Sequence, residues 1–361
     1  MTDYKNLIDG KMVDNGQWLE VLNPATEQVV GRVPSCGKEE LDSAVAAARR
    51  AFTQWKKTTA EERQQVVQGI AAAIKENADE LYRLLTSEQG KPHAQAQQEI
   101  YGAAGLAAAQ STLTLDDVIN QDDDTRLSRT RRVPVGVVGG IVPWNFPIMM
   151  AIQKIVPALV AGCTIVLKPS PFTPLTTLRV AELIKDVVPA GTVNIITGED
   201  TLGPLITEHP DIDKITFTGS TATGKKIMEG ASGDLKRITL ELGGNDASIV
   251  LPDADVQKVA EQLFWSSFSN AGQVCIAAKR IYIHEDIYDD LSKAIADYAK
   301  TVVVGDGSQQ GTGVGPIQNK KQYERVLDLI QDAKDNGYKF LTGGDKDPSG
   351  TGYYVPITIL D

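Results

Sequence analysis

From Val135 to Leu242, short apolar runs alternate with helical patterns, and this rhythm constrains the fold more than any other feature of the chain. Strands are expected at 135–142, 163–167, 192–197, 214–218 and 237–242, with helices between them at 147–161, 175–187, 202–208 and 222–231. Strands joined through helices need crossover connections, so they run parallel in a doubly wound α/β sheet. Runs such as Val135–Val142 lack polar alternation, as strands covered on both faces do. Ligands of such sheets bind beyond the carboxyl ends of the strands. Pro143-Trp144-Asn145, Lys168-Pro169-Ser170 and Gly219-Ser220 all follow strands, so a site is expected there.

A second α/β pattern follows Gly243-Gly244, with strands at 247–251 and 280–284 and helices at 256–270, 287–303 and 321–337, the last leading to Lys339-Phe340-Leu341. The chain ends at Tyr353–Asp361, inside what reads as a strand. The first 35 residues read as a small β meander with turns at Asp9-Gly10, Asn15-Gly16 and Asn23-Pro24. From Lys38 to about Gln110 the pattern is helical and alanine-rich, a layer expected to cover a sheet. Thr59 and Glu62 form a candidate capping box opening a long helix that Gly90 and Pro92 terminate. Between Asp116 and Arg132 acidic residues give way to arginines; an exposed hairpin arm and a solvated loop fit this stretch equally.

At 361 residues the chain is long enough for two domains with sizeable cores. The net charge of -11, with no basic stripe to offset it, argues against a nucleic-acid partner. The start has no apolar signal region, and no unbroken apolar stretch is long enough for a bilayer. Cys36, Cys163 and Cys275 are too scattered for a disulfide framework or a zinc site, and His93, His209 and His284 stand alone. A cytoplasmic protein without a metal is expected.

Gly219-Ser-Thr-Ala-Thr-Gly224-Lys225-Lys226 lies at a strand-to-helix junction, where backbone amides and the helix dipole attract phosphate. The spacing approaches the P-loop, but Lys226 stands where that motif needs Ser or Thr for magnesium. A phosphate-bearing ligand and a purely structural glycine turn both fit. Lys168 at a strand end could bond ribose hydroxyls or a phosphate, or be an exposed loop lysine. Asn145 could present an uncharged donor, or cap the following helix. Glu241, the last strand residue before Leu242-Gly243-Gly244, could be a partly buried general base with a raised pKa, or half of a structural ion pair. Cys275, in Asn270-Ala-Gly-Gln-Val-Cys275, alone among the cysteines sits among small turn residues at an element boundary. A nucleophilic thiol needs a base or a lowered pKa, and no histidine lies nearby in sequence.

Val142-Pro-Trp-Asn-Phe-Pro147, Leu167-Lys-Pro-Ser170, Phe217-Thr-Gly-Ser220, Leu240-Glu-Leu-Gly-Gly244 and Asn270-Ala-Gly-Gln-Val-Cys275 occur in the order and spacing of the NAD(P)-dependent aldehyde dehydrogenases. The resemblance covers essentially the whole chain. It implies that Cys275 attacks the aldehyde to form a thiohemiacetal, that the Asn145 amide and the Cys275 N–H hold the oxyanion, and that Glu241 later activates water to release the acid from a thioester. One such oxyanion donor is typically worth ~100-fold or more in rate. The resemblance also implies that Val142, Pro143, Trp144, Lys168, Ser170, Gly219, Ser220 and Leu242 bind NAD or NADP. By motif position it gives Phe146, Met150, Gln153, Ser269, Val274 and Ile276 as pocket candidates, with Gln153 and Ser269 hinting at a small or polar aldehyde. It divides the chain into a cofactor domain (1–114 and 135–243), an oligomerisation arm (115–134) and a catalytic domain (244–361), and implies a homo-oligomer, a dimer or tetramer.

Two departures stand out. NAD-preferring members often carry Glu three positions after the lysine matching Lys168; here Pro171 removes that repulsion of a 2′-phosphate, so NADP is expected to be tolerated. Family members also continue well past this length, through a motif that grips the nicotinamide ribose. Weak or absent turnover by the 361 residues alone is therefore expected. A homologue that binds nucleotide or a partner subunit without turnover is the alternative reading.

Overall fold

The computed structural model describes residues 2–345 and 350–361. The amino-terminal strands are β1 (Thr2–Asp3), β2 (Asn6–Ile8), β3 (Lys11–Val13), β4 (Trp18–Leu22) and β5 (Val29–Pro34). They do not form one meander. The β2–β3 hairpin joins the main sheet, Leu7 pairing antiparallel with Ile195, while β1, β5 and β4 form a separate three-stranded sheet. Turn residues mark where the chain reverses, but carry no information on which sheet each hairpin joins.

Helices α1 (Lys38–Trp55), α2 (Ala60–Glu76), α3 (Ala78–Gln89) and α4 (His93–Ser111) follow. The Thr59–Glu62 capping box is present, with Glu62 N–H donating to Thr59 Oγ1 at 3.2 Å and Thr59 N–H to the Glu62 carboxylate at 2.7 Å. The helix it opens breaks at Asn77, so one expected helix is two; Gly90, at φ 91°, ends the second. Strands β6 (Val118–Asp123) and β7 (Arg126–Thr130) then form an exposed antiparallel hairpin, resolving the arm-or-loop alternative.

The alternating region folds as β8 (Val137–Ile141), α5 (Pro147–Val160), β9 (Thr164–Lys168), α6 (Leu175–Ile184), β10 (Val193–Ile195), α7 (Leu202–Glu208), β11 (Lys214–Thr218), α8 (Thr221–Ser232) and β12 (Arg237–Glu241). The seven-stranded sheet runs β12-β11-β8-β9-β10-β2-β3, parallel through β12 to β10 and antiparallel at β2 and β3. Winding starts at β8, proceeds outward through β9 and β10, then returns to β11 on the other side. The switch point therefore lies between β8 and β11. Helix α1 lies on one face of this sheet and α5 on the other, with α2 and α4 layered outside α5. Apolar side chains fill both faces: Ile165, Leu167, Ile152 and Ile155 belong to one cluster, and Val137, Val166, Ile196 and Ile215 to the other. Each is at most 1% exposed, and full burial of such a side chain contributes roughly 1.5–3 kcal/mol.

Beyond the sheet come β13 (Asp246–Val250), α9 (Val256–Phe268), β14 (Ala278–Ile283), α10 (Tyr288–Thr301), β15 (Val303–Val304), β16 (Thr312–Val314), α11 (Lys320–Asp335), β17 (Phe340–Thr342) and β18 (Ile359–Leu360). Parallel β13–β14 packs with α9 and α10 around Leu263, Leu291 and Ile295. The strand expected over 353–361 shrinks to Ile359–Leu360, which pairs with β17.

Candidate active site

Four strand ends gather the candidate residues. β8 leads into Val142-Pro143-Trp144-Asn145, β9 ends at Lys168, β11 leads into Gly219-Ser220, and β12 ends at Glu241. Parallel pairing places these ends along one edge of the sheet, on both sides of the switch point, where an α/β sheet offers its ligand crevice.

The first two are tied together, because Val142 N–H donates to the Lys168 carbonyl at 3.1 Å. Lys168 is buried, and burial pushes its ammonium down to about 8 against the opposing pull of Asp200 and Glu199. Its exposed-loop reading is therefore wrong, and among the described residues its Nζ makes one hydrogen bond, a long 3.5 Å contact to the Pro169 carbonyl. A buried cation so poorly partnered at a strand end fits a ligand rich in hydroxyl or phosphate oxygens. Ser170 is also buried, and its Oγ accepts the Phe172 N–H at 3.3 Å. Gly219 does not offer a free amide, since its N–H donates to the Glu241 carbonyl at 3.0 Å. Ser220 caps α8, its Oγ accepting the Thr223 N–H at 3.2 Å. Leu242 packs against α8 at Gly224, where a Cβ would lie 2.7 Å from the leucine side chain.

The cysteine loop starts at the end of α9 with three successive left-handed residues, Asn270 (φ 51°), Ala271 (φ 56°) and Gly272 (φ 71°). This conformation costs a residue such as alanine roughly 1–2 kcal/mol, so the surroundings must hold it. They do so through Asn270, which is 3% exposed. Its N–H donates to Gln95 Oε1 at 2.9 Å, its Nδ2 to the Asn145 carbonyl at 3.0 Å, and its carbonyl accepts Gln273 Nε2 at 2.9 Å. Gln273 Oε1 in turn accepts the Gln318 N–H at 2.9 Å. The turn delivers Cys275, the one exposed cysteine of the three, just before β14.

Two contacts bring this thiol loop to the strand ends. Asn145 Nδ2 donates to the Gln273 carbonyl at 2.7 Å. On the other side, a Cβ on Gly244 would lie 2.4 Å from the Cys275 carbonyl, so glycine is required for the Leu242-Gly243-Gly244 segment to approach. Asn145 does not cap α5. That helix has no side-chain cap from its own segment, and its first-turn amides are satisfied instead by Glu99, whose Oε1 accepts Ile148 N–H at 3.0 Å and Met149 N–H at 3.2 Å. A carboxamide carries two N–H donors, so the bond to Gln273 leaves Asn145 one for a substrate.

Glu241 departs from the partial burial expected of it. Among the described residues β12 pairs with β11 alone, so it is an edge strand, and Glu241 at its end is exposed. Its Cα partner is Thr218, whose hydroxyl, with that of Thr216, accepts from Lys154 Nζ at 2.9 and 3.2 Å. Burial pushes Lys154 down to about 8, opposed by the Glu241 charge. Among the pocket candidates, Phe146, Met150 and Val274 are half-buried, whereas Gln153 and Ile276 are exposed. The Ser269 hydroxyl donates to the Trp265 carbonyl at 2.5 Å, and the Lys91 ammonium lies 3.9 Å from the Phe146 ring centroid.

Sequence reasoning missed Lys91, Glu99, Lys154, Gln273 and Gln318. One signal was available for Glu99, which lies on the α4 stripe of Ala96, Ile100, Ala103 and Ala107, a carboxylate where the periodicity calls for an apolar side chain.

Strand ends gathered at the switch point of a parallel sheet, with a carboxamide tied to a loop that bears an exposed thiol, define an α/β protein of the class that binds its ligand at that edge. Comparison with known proteins gives the family. The model of the aldehyde dehydrogenase family matches residues 12–361, and the chain belongs to that family. A probable aldehyde dehydrogenase of a Pseudomonas species is 43% identical over 98% of this chain and 72% of its own length. The NADP(+) succinate-semialdehyde dehydrogenase of Escherichia coli K12 is 38% identical over 98% of this chain and 75% of its own. The NAD+ complex of an aldehyde dehydrogenase from Bacillus cereus superposes with a TM-score of 0.96 at 38% identity, covering 99% of this chain and 74% of that one. The chain is thus an NAD(P)-dependent aldehyde dehydrogenase, acting on aldehydes with NAD(P) as cofactor. No helix among the described residues is long and apolar enough to cross a membrane.

Proposed function

We propose that Cys275, Asn145 and Glu241 carry out the oxidation. The Cys275 thiolate adds to the aldehyde carbon, forming a C–S bond while the carbonyl π pair moves to oxygen. The free Asn145 N–H and the Cys275 backbone N–H receive that oxyanion. Bound NAD(P)+ supplies the hydride acceptor at this point. Glu241 then takes a proton from water as it attacks the resulting thioester, releasing the acid and the thiol. Lys168 and Ser170 hold the adenosine side of the cofactor, with Val142, Pro143, Trp144, Gly219, Ser220 and Leu242 lining its cleft. The observation that carries this reading is the Asn145–Gln273 hydrogen bond, which fixes a carboxamide against the loop bearing the exposed thiol.

The same reading assigns cofactor binding to 1–114 and 135–243, catalysis to 244–361, and subunit contact to the arm at 115–134. Val118, Ile119 and Leu127 on that arm are exposed apolar side chains, consistent with a homo-oligomer, a dimer or tetramer, measurable by light scattering. Phe146, Met150, Gln153, Ser269, Val274 and Ile276 form the substrate side, favouring a small or polar aldehyde; relatives named for succinate semialdehyde and 3-sulfolactaldehyde favour the same class. The test is NAD(P)H absorbance with an aldehyde panel and both cofactors. In the full-length protein Cys275→Ser should abolish the signal; retained turnover in that variant overturns the assignment.

A further inference from the structure

Lys91 and Glu99 lie outside every motif that marks the site, yet they form an ion pair with 0% and 1% side-chain exposure, Nζ to Oε2 at 2.5 Å. Burying two charges is costly unless their hydrogen-bonding capacity is fully used. Here two of the three ammonium N–H groups and both carboxylate oxygens are bonded, and most of the bonds outside the pair go to one short segment. Lys91 Nζ also donates to the Asn145 carbonyl at 2.8 Å and lies 3.9 Å from the Phe146 ring centroid. Glu99 Oε1 accepts the amides of Ile148 and Met149. One pair therefore grips residues 145–149 from both sides, fixing the peptide on which the Asn145 carboxamide is mounted. Burial pushes the Lys91 ammonium down, and Glu99 acts in the opposite direction.

We propose that the buried Lys91–Glu99 pair is a positioning device for Asn145, setting the carboxamide where the alkoxide forms when Cys275 adds to an aldehyde. The Asn145 carbonyl takes a second donor from Asn270 Nδ2 at 3.0 Å, so this one oxygen joins the ion pair to the cysteine turn. Lys91 touches neither substrate nor cofactor in this scheme; it acts through Asn145. The inference rests on Asn145 being the oxyanion donor.

The test separates the two. Addition of an aldehyde to Cys275 protects the thiol from iodoacetamide without cofactor or hydride transfer. Cys275 is the exposed thiol, Cys36 and Cys163 being buried, so the labelling reports on this site. The probes are propanal and succinate semialdehyde, and the readout is the aldehyde concentration giving half-protection. The variants are Asn145→Ala, Lys91→Met, the charge-balanced pair Lys91→Met with Glu99→Gln, and each combined with Asn145→Ala. Asn145→Ala should raise the half-protection concentration by about 100-fold, the scale of one oxyanion donor. Lys91→Met and the balanced pair should raise it at least about 10-fold, and should add nothing in the Asn145→Ala background, as coupled residues do. Alkylation without aldehyde is measured for every variant and sets the baseline against which its half-protection concentration is read. An inert Asn145→Ala overturns the oxyanion reading. A damaging Asn145→Ala with Lys91 variants that bind aldehyde normally, or whose losses simply multiply with it, overturns the positioning role. If Lys91→Met does not fold, the balanced pair, which leaves no unpaired buried charge, decides.

Discussion

The carboxamide of Asn145 and the carbonyl of Gln273, 128 residues apart in sequence, are joined by a 2.7 Å hydrogen bond. With the Asn270 Nδ2 bond to the Asn145 carbonyl, it joins the loop after β8 to the loop bearing Cys275. Removing the amide should loosen both. Asn145→Ala is expected to lower aldehyde oxidation about 100-fold. Cofactor affinity, measured by NAD(P)H fluorescence, should fall far less, because Lys168, Ser170, Gly219 and Ser220 lie on other loops and only Val142-Pro143-Trp144 share the loop of Asn145.

Glu241 should matter later in the cycle than Asn145. Glu241→Gln is expected to leave a first burst of NAD(P)H largely intact while slowing the steady state, since only thioester hydrolysis needs the base. Stopped-flow absorbance reads both phases. An unchanged steady-state rate would remove Glu241 from the mechanism.

Gly244 has no room for a side chain. Its Cβ would meet the Cys275 carbonyl at 2.4 Å, a backbone atom that cannot swing aside. Gly244→Ala should displace the cysteine loop, with a destabilisation of roughly 1–3 kcal/mol and a loss of activity of at least about 10-fold. Thermal melts and the dehydrogenase assay on the same sample check the two effects.

Glu88 is fully buried, and burial pushes its carboxyl up to about 7, although the Thr176 hydroxyl and the Thr176 and Leu175 amides act in the other direction. A carboxyl whose folded pKa exceeds its unfolded value near 4.5 binds more protons in the native state between those limits. Its contribution to stability is therefore full below about 4.5 and lost as pH rises through about 7. The stability difference between wild type and Glu88→Gln, from urea titrations at pH 5 and pH 8, should shift against the wild type at the higher pH. A difference independent of pH would show that the carboxyl does not titrate in this window.

Pro171 sits three positions after Lys168, and no carboxylate there repels a 2′-phosphate. NADP+ should support turnover in the full-length wild type, and Pro171→Glu should cut kcat/KM for NADP+ by at least about 10-fold while sparing NAD+, through like-charge repulsion. Kinetics with the two cofactors in parallel give the ratio; a wild type that uses NAD+ alone contradicts the expectation.

The regular part of the fold was legible because its signals are local. Apolar runs, the Thr59 box and the Gly90 stop each report on their own neighbourhood, and the strands from β8 to β12 lie where the pattern puts them. What the pattern could not carry was partnership. Nothing in Asn6–Ile8 says that it pairs with β10 and not with β4. Nothing around Glu241 says that its strand is an edge, so its exposure was missed. Ordered motifs located Cys275 and Asn145. The groups that hold them, Lys91, Glu99, Gln273 and Gln318, are single polar residues whose meaning lies in contacts far along the chain.

Glu88 and Glu99 also bear on how the molecule folds. Helix α2 brings its own cap from Thr59, but α5 and α6 have no side-chain cap at their N-cap residues. Their first-turn amides are satisfied by Glu99 of α4 and Glu88 of α3. A helix that waits for an acceptor from elsewhere pays the loop-closure entropy before its first turn is complete. The loops after β8 and β9 lead into these two helices, so both should become ordered only once α3 and α4 have docked. In a pulse-labelling experiment, α2 would gain amide protection first. The first turns of α5 and α6, and the carboxamide beside them, would gain it last.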